Sequence, residues 1–140
     1  MKKILLEIIT PERIAFSSEV DMINAPTSTG QIGILPGHVS LFTRLTEGEV
    51  KIMDNGKEVF LAIGGGFMEV SSDKTTILVT AAYKSEEINE KEVIMAKKKA
   101  EEALAAKPSG EALLEAQSLF RRSEIALKVL RRKKPLQLNN

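Results

Sequence analysis

The hydrophobic period changes once along this chain, after Tyr83, and that change limits what it can fold into. From Lys3 to about Ala81 the apolar residues fall in short runs divided by turn residues: ILLEII, RIAFSSEV, DMINA, VSLFTRL, GEVKIM, EVFLAI, GFMEVSS and TTILVTAA. Each run lasts about five to eight residues, the length of a strand, and no helical period intervenes. Asn55-Gly56, inside DNGK, tolerates the positive φ values of a two-residue hairpin turn. SSDK, residues 71–74, offers a second turn. Short strands at this spacing predict an all-β sandwich, or flattened antiparallel barrel, over residues 1–84.

Beyond Tyr83 the period is helical. Asn89 followed by Glu92 has the form of a capping box, an N-cap amide with an acid three residues on. Val93, Ala96, Ala100, Ala103 and Leu104 then trace one face of a first helix. KPSG, residues 107–110, ends it, and a second helix begins near Glu111 with Leu113, Ala116, Phe120, Leu127 and Leu130 on one side. Two helices joined by so short a loop predict a C-terminal antiparallel α-helical hairpin over residues 85–140. The first helix brings mostly alanine to the seam. Alanine buries little area at roughly 25 cal/mol per Å², so the hairpin is expected to be a detachable limb on a sandwich body.

Composition removes several kinds of chemistry. The 140 residues contain no cysteine and one histidine, so disulfide, thiolate and histidine-based metal sites are not expected. Glu7 and Pro11 interrupt the apolar start MKKILLEIITPE, which is expected to form a first strand rather than a signal peptide. Nothing approaches the roughly 20 apolar residues of a membrane-spanning helix. Gly64-Gly65-Gly66 lacks the Lys-Ser/Thr and the helix of a phosphate loop, and between two β-runs it marks a bulge or close backbone approach. His38 has no recognisable nucleophile and orienting group around it, so a turn or surface histidine is expected. No cofactor and no catalytic group are therefore assigned.

Charge is uneven. The chain carries a net charge of +1, but residues 1–84 sum to −2 and residues 85–140 to +3. The excess gathers in Arg121, Arg122, Lys128, Arg131, Arg132, Lys133 and Lys134. A solvated helix end, an acidic protein surface and a nucleic acid all fit such a cluster on composition. The single tyrosine and absent tryptophan leave few of the aromatic groups on which single-stranded nucleic acid stacks.

The order of the pieces adds more. TPERIAFSSEVDMINAPTSTGQIGILPGHVSLFT, then GGGFMEVSSDKTTILV, then a helical hairpin, closely resembles the epsilon subunit of the bacterial rotary (F-type) ATP synthase, from Ile4 to about Arg132. GQIGILPGH is the most specific stretch. The resemblance implies a rotor-stalk subunit without an active site, whose sandwich grips the gamma subunit and rests on the c-subunit ring. Gln31, Ile34, Leu35, Pro36, His38 and Thr43 would lie on or near that docking edge. Many bacterial relatives carry Glu where this chain has Gln31, so the contact with the c ring would lose a charge.

In the family the hairpin folded against the sandwich permits ATP hydrolysis. Extended along gamma, it inserts among the alpha and beta subunits and blocks it. The resemblance thus implies Arg121, Arg122, Lys128, Arg131 and Arg132 as braking contacts to an acidic region of beta. Some members bind ATP through an Ile/Leu-Asp-x-x-Arg-Ala motif, which here reads INEKEV, residues 88–93. Asn89, Glu92 and Val93 replace its Asp, Arg and Ala, and the assisting basic positions on the second helix are Val129 and Lys133. Glu92 would repel a phosphate, so weak or no ATP binding is expected. A nucleotide-sensing module and a small nucleic-acid-binding β-domain with a basic tail are the alternatives. The expected location is peripheral, at the cytoplasmic face of a bacterial membrane, through the complex and not through nucleic acid or lipid; a plastid relative is the other possibility.

Overall fold

Alternation in ILLEII sends Ile4, Leu6 and Ile8 to one side of the first strand, and all three are buried. In the computed structural model, which describes residues 2–133 (of Lys133 the backbone only), this strand is β1 (Ile4–Ile9). Then follow β2 (Ile14–Val20), β3 (Met22–Thr27), β4 (Gly30–Ile34), β5 (Leu41–Leu45), β6 (Gly48–Asp54) and β7 (Lys57–Ile63). β8 (Gly66–Val70), β9 (Lys74–Val79) and β10 (Ala82–Lys84) complete the strands. They form two five-stranded sheets, ordered β2-β1-β9-β8-β5 and β10-β7-β6-β3-β4. Leu6, Ile8, Met68 and Ile77 from the first sheet and Ile23, Ile34, Ile52 and Leu61 from the second fill the core between them.

The sandwich with a helical C-terminal segment is the architecture the pattern predicts, and both turns take their predicted places. Asn55 and Gly56 have φ of 53° and 78°, and Asp54 pairs with Lys57 across them. Ser71 and Lys74 exchange backbone hydrogen bonds of 2.8 and 3.3 Å. Three features go beyond what the pattern predicts. GQIGI forms β4, and AYK forms the three-residue β10. Among the described residues every strand pairing is antiparallel except β1 with β9, which run parallel.

The glycine run makes a close approach: Gly66 pairs with Val79, where a Cβ would overlap the Leu78 carbonyl oxygen. At one end of the sandwich the Lys3 ammonium hydrogen-bonds Asp54, lies 3.6 Å from Asp21 and donates to Asn55 at 3.2 Å. The bond to Asp54 is the main cause that holds the Lys3 pKa above its ordinary value, with Asp21 adding to it against partial desolvation.

After Lys84 the chain leaves the sandwich, and the described residues from Ser85 onward make a second compact unit. This unit opens with a 3-10 turn (Ser85–Glu87), then α1 (Glu90–Ala105) and α2 (Gly110–Lys133). Asn89 caps α1 as its spacing predicts, its side-chain oxygen accepting the Glu92 N–H at 3.1 Å. Lys107, at φ 54°, donates its N–H to the Leu104 carbonyl at 3.0 Å, and Pro108 stops the helix. In the hairpin Ala100 and Ala116 are buried, while Val93, Ala96, Leu104, Leu113, Phe120, Leu127 and Leu130 are half-buried and Ala103 is exposed. Lys97 lies over the Phe120 ring at 5.6 Å and 3.9 Å from Glu124. Ser123 is buried too, its hydroxyl donating to the Leu119 carbonyl at 2.7 Å.

Candidate functional site

β4 and β5 are the end strands of the two sheets and follow one another in the chain, so the loop of residues 35–40 bridges the two layers at one edge. Its turn is built from Leu35-Pro36-Gly37-His38. The His38 N–H donates to the Leu35 carbonyl at 3.1 Å, with proline second and Gly37 third at φ 80°. That is the type II pattern, in which proline presets φ and the third position favours glycine. The His38 Nδ1 sits 2.7 Å from the Val39 carbonyl oxygen, which ties the ring to its own loop.

The predicted docking residues do not share one role. Gln31 is exposed on β4, opposite Pro26, and Leu35 is 57% exposed at the turn. Pro36 and His38 are half-buried. Thr43 is half-buried on the inward side of β5, opposite Met68. Ile34 corrects the expectation: its side chain is fully buried opposite Ile23, so it anchors β4 and presents nothing outward. Two further residues are exposed at this edge, Val39 at 77% and Phe42 at 65%. Phe42 was legible, since Leu41, Thr43 and Leu45 alternate inward and Phe42 and Arg44 must then point out.

Phe42 stacks on Phe67 of β8, ring centroids 5.6 Å apart. Phe67 is paired with Leu78 of β9, and Leu78 with Ile9 of β1. Phe67 and Leu78 are also exposed, so an apolar row runs from the edge loop across the outer face of the first sheet. Contiguous exposed apolar surface of this kind marks an interaction site more often than isolated residues do.

On α2, Arg121, Arg122, Lys128, Arg131 and Arg132 are all exposed. At about 100° per residue, Arg121, Lys128 and Arg132 fall within about 40° of one another, a single stripe along the helix. Arg122 lies off that stripe and lines a groove between the helices with Lys99, Ala103, Glu111 and Glu115, its Nε donating to the Ser118 carbonyl at 3.4 Å. Arg131 falls to the other side. Lys134 and the Lys133 side chain lie outside the described residues.

The degenerate motif is occupied by helix construction. The Asn89 side chain caps α1, Glu92 supplies the capped N–H with its side chain exposed, Val93 is half-buried, and Val129 is fully buried. Among the described residues no three His, Asp or Glu side chains are grouped as a metal requires, and no helix is long and apolar enough to cross a membrane.

A family profile described as the ATP synthase delta/epsilon chain β-sandwich domain matches residues 3–85. The ATP synthase epsilon chain of Herpetosiphon aurantiacus is 43% identical over 126 residues, 90% of this chain and 93% of that one. That of Dehalococcoides mccartyi is 41% identical over 138 residues, 96% and 99% of the two chains. This chain belongs to the family of ATP synthase epsilon chains. The fold has solved counterparts as well. A chain of the Euglena gracilis mitochondrial ATP synthase, solved as its OSCP/F1/c-ring assembly, superposes with a TM-score of 0.68 at 23% identity, covering 94% of this chain and 79% of that one. One from the Tetrahymena thermophila mitochondrial central stalk and c-ring gives 0.57 at 18%, covering 93% and 99%.

Proposed function

We propose that this chain is a non-catalytic central-stalk subunit of a bacterial proton- or sodium-driven ATP synthase. Its sandwich couples the gamma subunit to the c ring, and its hairpin inhibits ATP hydrolysis at the alpha and beta subunits. The observation that carries the first half is the edge loop: a proline-glycine turn holds Leu35, Val39 and Phe42 in water, beside the exposed Gln31. A protein that kept this surface bare would bear a standing cost in exposed apolar area. Membership of the epsilon chains supports reading its partners as other subunits of the synthase. The neutral Gln31 leaves the contact with the c ring to packing and hydrogen bonds.

The second half is supported by the hairpin. Arg121, Lys128 and Arg132 form a basic stripe suited to the acidic region of a beta subunit, and Arg122 and Arg131 flank it. Exposed ion pairs contribute about 0 to 1 kcal/mol each, so several must act together. Inverting a two-state population from 1:99 to 99:1 takes about 5.5 kcal/mol, which a stripe of this size approaches only with apolar contacts added. Location follows from assembly: the subunit sits peripherally at the cytoplasmic face of the membrane.

The docking edge is tested with the double substitution Leu35→Asp, Phe42→Asp. Both side chains are solvent-exposed in the free chain, so its circular dichroism and melting should hold. Affinity for a complex that holds both gamma and the c ring should fall by about 30-fold or more, the effect of removing central apolar anchors from an interface. Unchanged co-elution on gel filtration would contradict the assignment.

A further inference from the structure

β10 is three residues long, lies at a sheet edge and pairs only with β7, through Ala82, Tyr83 and Lys84 opposite Ile63, Ala62 and Leu61. A strand so short, at the end of a unit, would fray without further restraint. Restraint comes from the opposite sheet. The Arg13 Nη2 donates to the Ala82 carbonyl at 2.6 Å, and its guanidinium lies 5.9 Å from the centre of the Tyr83 ring. The Lys84 ammonium lies 5.7 Å from the centre of the Phe16 ring. Arg13 immediately precedes β2, the edge strand of the first sheet, and Phe16 lies within it.

Arg13 is itself held. The Thr10 N–H donates to the Arg13 carbonyl at 2.8 Å, the Arg13 N–H donates to the Thr10 hydroxyl at 3.2 Å, and Thr10 is buried. The clasp therefore grips β10 from a braced turn. Further along, the start of α1 is pinned at Asn89 by its bond to the Glu92 N–H. Between them lies one 3-10 turn, Ser85–Glu87, with an Ile88 N–H to Ser85 carbonyl bond of 3.2 Å. Short 3-10 turns are common connectors between elements, and their hydrogen-bond geometry is poorer than that of an α-helix.

We infer that the Arg13/Phe16 clasp makes β10 a fixed part of the sandwich and confines the pivot of the helical unit to residues 85–88. This rests on the proposal that the hairpin relocates. Five residue steps from Lys84 to Asn89 span at most about 18 Å when extended. The base of α1 is thus tethered closely, and relocation is a swing about that base rather than a translation of the whole hairpin. Without the clasp β10 would peel from β7 and lengthen the tether.

Hydrogen exchange on the full chain, read by mass spectrometry, tests this. In the unaltered protein the boundary between slow and fast amides should fall between Lys84 and Ser85. Arg13→Ala should speed exchange at residues 82–84 by about tenfold while β1, β8 and β9 keep their protection. Arg13→Lys keeps the charge and loses the planar fork, so it should fall between the two. Fast exchange of 82–84 in the unaltered chain, or less than about a twofold change in Arg13→Ala, overturns the clasp. If Arg13→Ala loosens the whole sandwich, Phe16→Leu, which keeps an apolar side chain against the core and removes the ring beneath Lys84, must still raise exchange at Lys84, and no change there overturns it. None of these readouts uses ATP hydrolysis, so a hairpin that failed to inhibit would leave the clasp standing, and a failed clasp would leave inhibition untouched.

Discussion

The two parts of this chain bury their residues differently. In the sandwich, alternating strands from both sheets drive Leu6, Ile8, Ile23, Leu61, Met68 and Ile77 to 0% exposure. In the hairpin the buried apolar residues are few and small, Ala100, Ala116 and Val129, and the larger Phe120, Leu127 and Leu130 are only half-buried. A sheet face presents every second residue to a common interior, so a few branched side chains per strand suffice to build a deep core. A helix pair meeting through alanine comes close but removes little apolar area from water. One region is held by a deep core, and the other keeps its helices together with little apolar burial.

The sharpest way to break that contrast is to remove one large side chain from each part. Leu6→Ala should cost about 2 to 5 kcal/mol of global stability in urea unfolding, through lost burial and a cavity. Phe120→Ala should cost about 1 kcal/mol or less globally, its effect confined to faster exchange in α1 and α2. Equal global losses would mean that the hairpin belongs to the same cooperative core.

A subtler test lies within the sandwich. The Thr75 hydroxyl is buried in β9 with no hydrogen-bond partner among the described residues. Thr75→Val removes that orphaned group and should raise stability by about 1 kcal/mol, seen as a higher urea midpoint at unchanged slope. A loss of stability would show that the hydroxyl has a partner such as a buried water.

The smallest effect belongs to Lys3. Its folded-state pKa lies above the ordinary value of 10.5, chiefly through the bond to Asp54. A raised ammonium pKa means that the folded state holds its proton more tightly. The contribution is therefore complete below the unfolded-state pKa and lost as pH rises through the folded one. Lys3→Met should lower stability slightly at neutral pH and flatten its decline in alkali. An unchanged alkaline slope would contradict this.

Local features were the legible ones. Asn55-Gly56 declared its turn because few other pairs accept positive φ at both positions, and Asn89 declared its cap through the spacing to Glu92. β4 was hidden because the glycines and glutamine of GQIGI erase the alternation that marks a strand, and β10 because three residues carry no period. The parallel pairing of β1 with β9, and the grip of Arg13 on Ala82 across 69 residues, arise only when the two sheets close. In the loop between β4 and β5 the turn could be read from Pro36-Gly37. The burial of Ile34 required knowing that β4 pairs with β3, which turns that residue inward. The basic cluster was visible as composition, but its division into a stripe and two outliers needed the helix to be continuous through Arg132.

The most direct measurement is ATP hydrolysis by an epsilon-free alpha-beta-gamma complex, to which the full chain or a chain ending at Glu87 is added back. The shorter chain keeps the whole sandwich and β10, and gel filtration of the same samples confirms that each form binds. Slower hydrolysis with the full chain alone is the predicted result: the sandwich docks and the hairpin brakes. Binding of both forms with hydrolysis unchanged by either would contradict the division of labour.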